Sequence, residues 1–126
     1  MKGIFVNADG PVDYAEAIVS GRKIIETRSR DMLKNLVHER VAIVRTRRGK
    51  KPEVVGHAFI MGKMFLSADT LEIDRNFTLI PKGSKYDCTG KGKWGYFLED
   101  ATPCYPYPLP DNAVRHGLSW CEFEEV

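Results

Sequence analysis

The sequence predicts an α+β chain, a small mixed β-barrel with two or three short helices, and three observations carry that prediction. Short apolar runs recur between Gly, Pro, Asn and Asp, the pattern of buried strands separated by turns. The stretches with helical spacing are all brief and carry their own cap or stop signals. No repeat, linker or low-complexity tract interrupts the 126 residues, so one domain over 1–126 is expected. That length can bury a core without disulfide or metal staples.

Taken in order, Gly3-Ile4-Phe5-Val6 suits a buried strand, and Asp9-Gly10-Pro11 is turn chemistry leading into a helix. Residues 14–20 form that helix, with apolar positions 14, 15, 17, 18 and 19 on one side and Gly21 as its stop. A strand follows over residues 24–29. Asp31 opens a second amphipathic piece in which Met32, Leu33, Leu36 and Val37 fall at helical spacing, a core-facing stripe. Val41-Ala42-Ile43-Val44 and residues 54–61 make a hairpin whose outgoing strand continues toward Phe65, with Gly56 and Gly62 marking bulges or close backbone approaches. Ser67 caps a helix that ends before Asn76. Residues 81–92 interleave glycines with lysines and read as a loop long enough to attract functional interest.

Composition narrows the function classes. A formal charge of +2 is too small to argue for nucleic-acid binding, so the distribution has to carry that case. It is uneven: the hairpin tip Arg45-Thr46-Arg47-Arg48-Gly49-Lys50-Lys51 holds five cations in seven residues, which repel one another in the absence of a polyanion. Such a tip could track phosphates and would give salt-sensitive binding. Cys88, Cys104 and Cys121 are widely spaced with no CxxC pair, which argues against a disulfide framework or a zinc site. His38, His57 and His116 do not cluster, so neither a metal nor a cofactor is expected. Residues 1–11 lack the apolar run of a signal peptide and no segment approaches the ~20 apolar residues of a membrane span, so a cytoplasmic location without a membrane partner is the expectation.

The densest chemistry lies in Gly21-Arg22-Lys23-Ile24-Ile25-Glu26-Thr27-Arg28-Ser29. On an extended strand Ile24, Glu26 and Arg28 share one face and Ile25, Thr27 and Ser29 the other. A two-residue step is roughly 7 Å, too far to guarantee a salt bridge but suited to lining one cleft with both signs of charge. Gly21-x-Lys23-x-x-Glu26-x-Arg28 resembles the GxKxxExR signature of the ASCH (activating signal cointegrator homology) domain family. Lys93-Trp94-Gly95-Tyr96-Phe97-Leu98-Glu99-Asp100, then Pro106-Tyr107-Pro108-Leu109-Pro110 and Gly117-Leu118-Ser119-Trp120, resemble that family's terminal block. The similarity spans roughly residues 3–122 and implies the PUA-like barrel that ASCH domains share with several RNA-recognition domains.

The resemblance implies a cleft for RNA, a nucleotide or a nucleoside. Lys23, Arg28 and Ser29 would meet phosphates or base edges, and Trp94 and Tyr96, on one strand face, would stack bases or sit in the core. Glu26 would accept hydrogen bonds from a base, act as a general base, or hold Lys23 and Arg28 in place. His116 in the terminal block would contact phosphate or serve as an acid or base. An alternative is a metal-independent hydrolase, with Lys23 and Glu26 catalytic. Superfamily relatives include amidohydrolases that act on acetylated cytidine through a Lys and a Thr, and some ASCH relatives are described as ribonucleases. Here Glu26 occupies the place of that Thr, and Thr27 should point to the opposite face, which argues against the same nucleophile. A third class is a protein-interaction adaptor using Tyr105-Pro106-Tyr107-Pro108.

Overall fold

The computed structural model describes residues 1–88 and 90–125. Eleven short elements follow one another: β1 (Lys2–Asn7), α1 (Tyr14–Val19), β2 (Ile25–Arg28), a 3₁₀ turn (Lys34–Leu36), β3 (Arg40–Thr46), β4 (Glu53–Leu66), α2 (Ala68–Ile73), α3 (Arg75–Thr78), β5 (Lys93–Pro108), β6 (Val114–His116) and β7 (Trp120–Glu122). The strands form one mixed seven-stranded sheet in the order β2-β5-β4-β3-β1-β7-β6. Among the described residues only β1 and β3 run parallel.

The expected α+β composition with short helices is present, but the expected closed barrel is not. The strand order is linear and leaves β2 and β6 as edges. Strand β7 pairs only with Lys2 to Ile4 of β1, which leaves the far half of β1 free on that side, and among the described residues no backbone pairing joins β2 to that half or to β6. A side chain spans the gap instead: Arg28 Nη2 donates to Phe5 O at 2.7 Å. The sheet therefore curls until β2 faces the far half of β1, and the opening between them is the starting point of the site.

Apolar alternation explains the core. Ile4, Val6, Val41 and Ile43 point to one side, where they pack with Ile18, Leu33, Leu36 and Ile60. Phe5, Ala42 and Val44 point to the other, against Val54, Leu109 and Cys121. The parallel pair β1/β3 is thus buried on both faces, as parallel strands usually are. Helix α1 starts where Asp13 Oδ1 accepts from Glu16 N at 2.9 Å and lies across the sheet at Gly56. A Cβ there would sit 2.4 Å from Thr102 O and 2.6 Å from Val19 Cγ1, so only glycine admits this approach. Register shifts beside Gly56 and Gly62 match the expected bulges.

One local expectation changes. The amphipathic piece after Asp31 gives only the 3₁₀ turn; of its expected core-facing stripe Leu33 and Leu36 are buried, Val37 is partly buried and Met32 is exposed. Ser67 caps a helix as expected, its Oγ accepting from Thr70 N at 3.2 Å; the helix ends at Ile73, before Asn76, and α3 follows as a separate turn. The aromatic and proline-containing blocks near the C-terminus fuse into the 16-residue β5. Strand β2 pairs only with its beginning, Trp94 to Phe97, so beyond Leu98 the outer edge of β5 has no strand neighbour among the described residues. Thr89, within the expected 81–92 loop, lies outside the described residues, as does Val126. Among the described residues no helix is long and apolar enough to cross a membrane.

Candidate nucleotide-binding cleft

After Val19, Gly21 turns the chain with φ +82°, and Lys23 N returns to donate to Ala17 O at 2.9 Å. This tight reversal drives the Lys23 side chain inward, where it is 1% exposed. Its Nζ donates to Ile25 O at 2.8 Å and Thr78 O at 2.5 Å, lies 3.4 Å from Glu26 Oε1, and sits 5.1 Å from the Tyr14 ring centroid. The ammonium thereby ties the start of β2 to the end of α3. Burial pushes it below the ordinary lysine range, although the neighbouring Glu26 pulls the other way.

Glu26 is buried beside it. Arg28 Nη1 approaches Glu26 Oε2 at 2.5 Å, and Thr27 N donates to Oε1 at 3.2 Å. Burial opposes the charge, but Arg28 and Lys23, together with these hydrogen bonds, outweigh it and hold the carboxyl below the usual range. The roughly 7 Å backbone step between residues 26 and 28 is bridged by the length of the arginine side chain. Glu26 therefore grips Arg28, whose other nitrogen holds Phe5 O, and the guanidinium is fixed across the mouth between β1 and β2 with its side chain 17% exposed.

Two clefts and a small cavity meet at this mouth, and Asn7 and Tyr86 border all three. The cavity, about 50 Å³, reaches down to Lys23 and Glu26 and has room for a water molecule or two. The larger cleft, about 740 Å³, is lined by Arg28, Lys93 and Arg115 and by no acidic residue. The other, about 430 Å³, lies on the far side of Tyr86, toward Tyr14 and Arg48. Both fall in the ordinary range of small-molecule sites, roughly 300–1,000 Å³. Tyr86 meets Tyr14 edge to face at 5.7 Å and 86°, and Lys93 Nζ donates to Tyr86 O at 2.7 Å. Asp87, next in the loop, accepts from Gly83 N at 2.8 Å and Arg75 Nη2 at 3.1 Å. The loop is thus pinned on both sides of the ring it presents.

No protein-family profile and no curated protein matches this chain. Solved structures do. The crystal structure of ASCH from Zymomonas mobilis superposes with a TM-score of 0.68 at 24% identity, covering 85% of this chain and 73% of that one. A tyrosine-to-phenylalanine variant of the same protein gives 0.67 at 26% identity, with 86% and 77% covered, and a serine-to-alanine variant 0.66 at 27%, with 84% and 73%. The chain has an ASCH-type fold.

Within this ASCH-type fold the residues of the signature motif converge, and those of the terminal block scatter. Lys23, Glu26 and Arg28 form one charge cluster, and Ser29, exposed at the end of β2, lines the larger cleft. Tyr96 does not supply a stacking wall. It pairs with Glu26 across β5 as alternation requires, but it is fully buried, and its hydroxyl donates to Asp31 Oδ1 at 2.7 Å and accepts from Leu33 N at 3.2 Å. Burial pushes the phenol far above its ordinary value. Trp94 packs edge-on against Phe65 at 5.6 Å with Lys63 5.0 Å above its ring, and it lines none of the three spaces. His116 stacks on Trp120 at 4.0 Å and 15°, whereas Arg115, one position earlier and so on the opposite face, borders the larger cleft over the Phe5 ring. The aromatic side chains bordering these spaces are Tyr86 in all three, Tyr14 in the cavity and the smaller cleft, and Phe5, beneath Arg115, in the larger one. Tyr14 was hidden in the apolar pattern of α1; Tyr86 was signalled only as a lone aromatic in a lysine-rich loop.

Proposed function

We propose that this chain binds RNA or a nucleotide in the larger cleft, between the free half of β1, β2 and the loop carrying Tyr86. The observation that supports this reading most is the lining itself: Arg28, Lys93 and Arg115 with no carboxylate, beside an aromatic ring. Arg28 is already paired with Glu26, but Lys93 and Arg115 have no carboxylate partner among the described residues; together they favour a phosphate-bearing ligand, and a base stacked on a tyrosine face would add roughly 1–3 kcal/mol. The resemblance to ASCH domains supports the same ligand class. Glu26 then acts by holding Arg28 in place. As a general base it is poorly suited, because the cations keep its carboxyl ionised at low pH and both oxygens already accept hydrogen bonds.

The test is fluorescence anisotropy of labelled, mixed-sequence RNA octamers at two salt concentrations. Arg115→Ala alters an exposed side chain, and Arg28→Ala removes the bridge to Phe5, so a thermal melt accompanies each variant. A loss of about tenfold for each, with a salt slope shallower by about 0.7 per phosphate contact removed, is expected. Wild-type affinity in both folded variants would exclude this cleft.

A further inference from the structure

Of the five cations at the β3–β4 hairpin tip, two are occupied with an acidic neighbour. Arg45 and Arg47 both contact Glu53, at 3.0 and 2.9 Å. Arg48 departs from that pattern. Its backbone N–H donates to Asp9 Oδ1 at 2.7 Å, which fixes where the residue leaves the tip, and its exposed side chain takes part in no ion pair among the described residues. It borders the 430 Å³ cleft opposite Lys85, whose Nζ lies 5.4 Å from the Tyr86 ring centroid. Asp9 is the one carboxylate in that lining; besides the Arg48 N–H, it takes a hydrogen bond from Asn7 Nδ2 at 3.3 Å.

The two clefts are therefore alike in construction. Each is large enough for a nucleotide, each carries its own cations, and they meet at Asn7 and Tyr86, with the small cavity under Arg28 between them. A mononucleotide would fill one cleft and leave the cations of the other unmatched. A strand with a phosphate at every step would neutralise both sets and cross over a ring with aromatic neighbours. Resting on the function proposed above, we infer that the site takes a single-stranded oligonucleotide rather than a lone nucleotide. It runs from the cleft at Arg28 and Arg115, across Tyr86, into a second subsite at Arg48 and Lys85.

The experiment is competition against a labelled RNA octamer by mixed-sequence RNA tetranucleotides and, separately, by an equimolar mixture of the four nucleoside 5′-monophosphates. Wild type and the double variant Arg48→Ala/Lys85→Ala are compared. Both residues are exposed, and the Arg48 contact to Asp9 is through the backbone, so the variant keeps the fold; a thermal melt verifies this. The tetranucleotides should compete at least about tenfold more strongly than the monophosphates for the wild type. In the double variant that ratio should fall toward one and the octamer salt slope should drop by about 1.4, the value for two lost single-strand phosphate contacts. A wild-type ratio near one, with monophosphate binding still dependent on Arg28, would overturn the second subsite and leave the proposed function standing. A large ratio that the double variant leaves intact would overturn it equally, and binding of neither ligand would remove both readings.

Discussion

Replacing Glu26 with Gln keeps the shape and one acceptor of the carboxylate but removes its charge from between two cations. Lys23 is 1% exposed and Arg28 17%, so neither can recover full hydration in the folded state. Removing one partner of a buried ion pair costs about 3–5 kcal/mol. Lys23 retains its two carbonyl acceptors and water reaches part of Arg28, which places the expected loss near the lower end, about 3 kcal/mol. For a chain of this size that lowers Tm by about 10 °C. Urea denaturation followed by tryptophan fluorescence measures the gap, and its pH dependence carries the mechanism. Because the folded-state pKa of Glu26 lies below its ordinary 4.5, the stabilisation is complete above about pH 4.5 and is lost as pH falls through the lower folded value. The wild-type advantage over Glu26→Gln should therefore be constant from pH 8 to 5 and shrink below that. A gap under about 1 kcal/mol at pH 7, or one unchanged down to pH 3, would refute the argument that charge within this cluster supports the fold.

Other substitutions separate packing from binding. Tyr96→Phe should cost about 1–2 kcal/mol by leaving Asp31 and Leu33 N short of a partner, while RNA affinity at room temperature holds within about twofold; a large affinity loss in a folded variant would return Tyr96 to the ligand. Gly56→Ala must displace both Thr102 O and the Val19 side chain and should cost about 2 kcal/mol or more, seen as a lowered urea midpoint; an unchanged midpoint would mean that α1 and β5 can both shift at no cost.

What the sequence made legible was local. Alternation in a short strand put Glu26 and Arg28 on one face, and the observed register places Tyr96 and Trp94 opposite them on that same face. Whether that face meets solvent or core depends on how far the sheet curls and on which segment crosses it. The Asp31–Leu36 stretch comes to lie over Tyr96 through long-range contacts that no local pattern encodes. The same curl brings β2 to β1, so the partner of Arg28 is a backbone carbonyl 23 positions away, invisible to motif spacing. Tyr14 illustrates a different obstacle: a tyrosine on the buried side of a helix fits a core pattern whether or not its ring also borders a cavity.

The long outer edge of β5 has a consequence for how the protein behaves at high concentration. Unpaired strand edges recruit other strands, and stacked sheets grow into aggregates by that route. Past Leu98 this edge carries Pro103, Pro106 and Pro108 within six residues, each lacking an N–H, so it cannot present an unbroken row of donors to a neighbouring chain. The spacing of those prolines, which contributes nothing to the cleft, makes the exposed side of the sheet a poor template for its own copies.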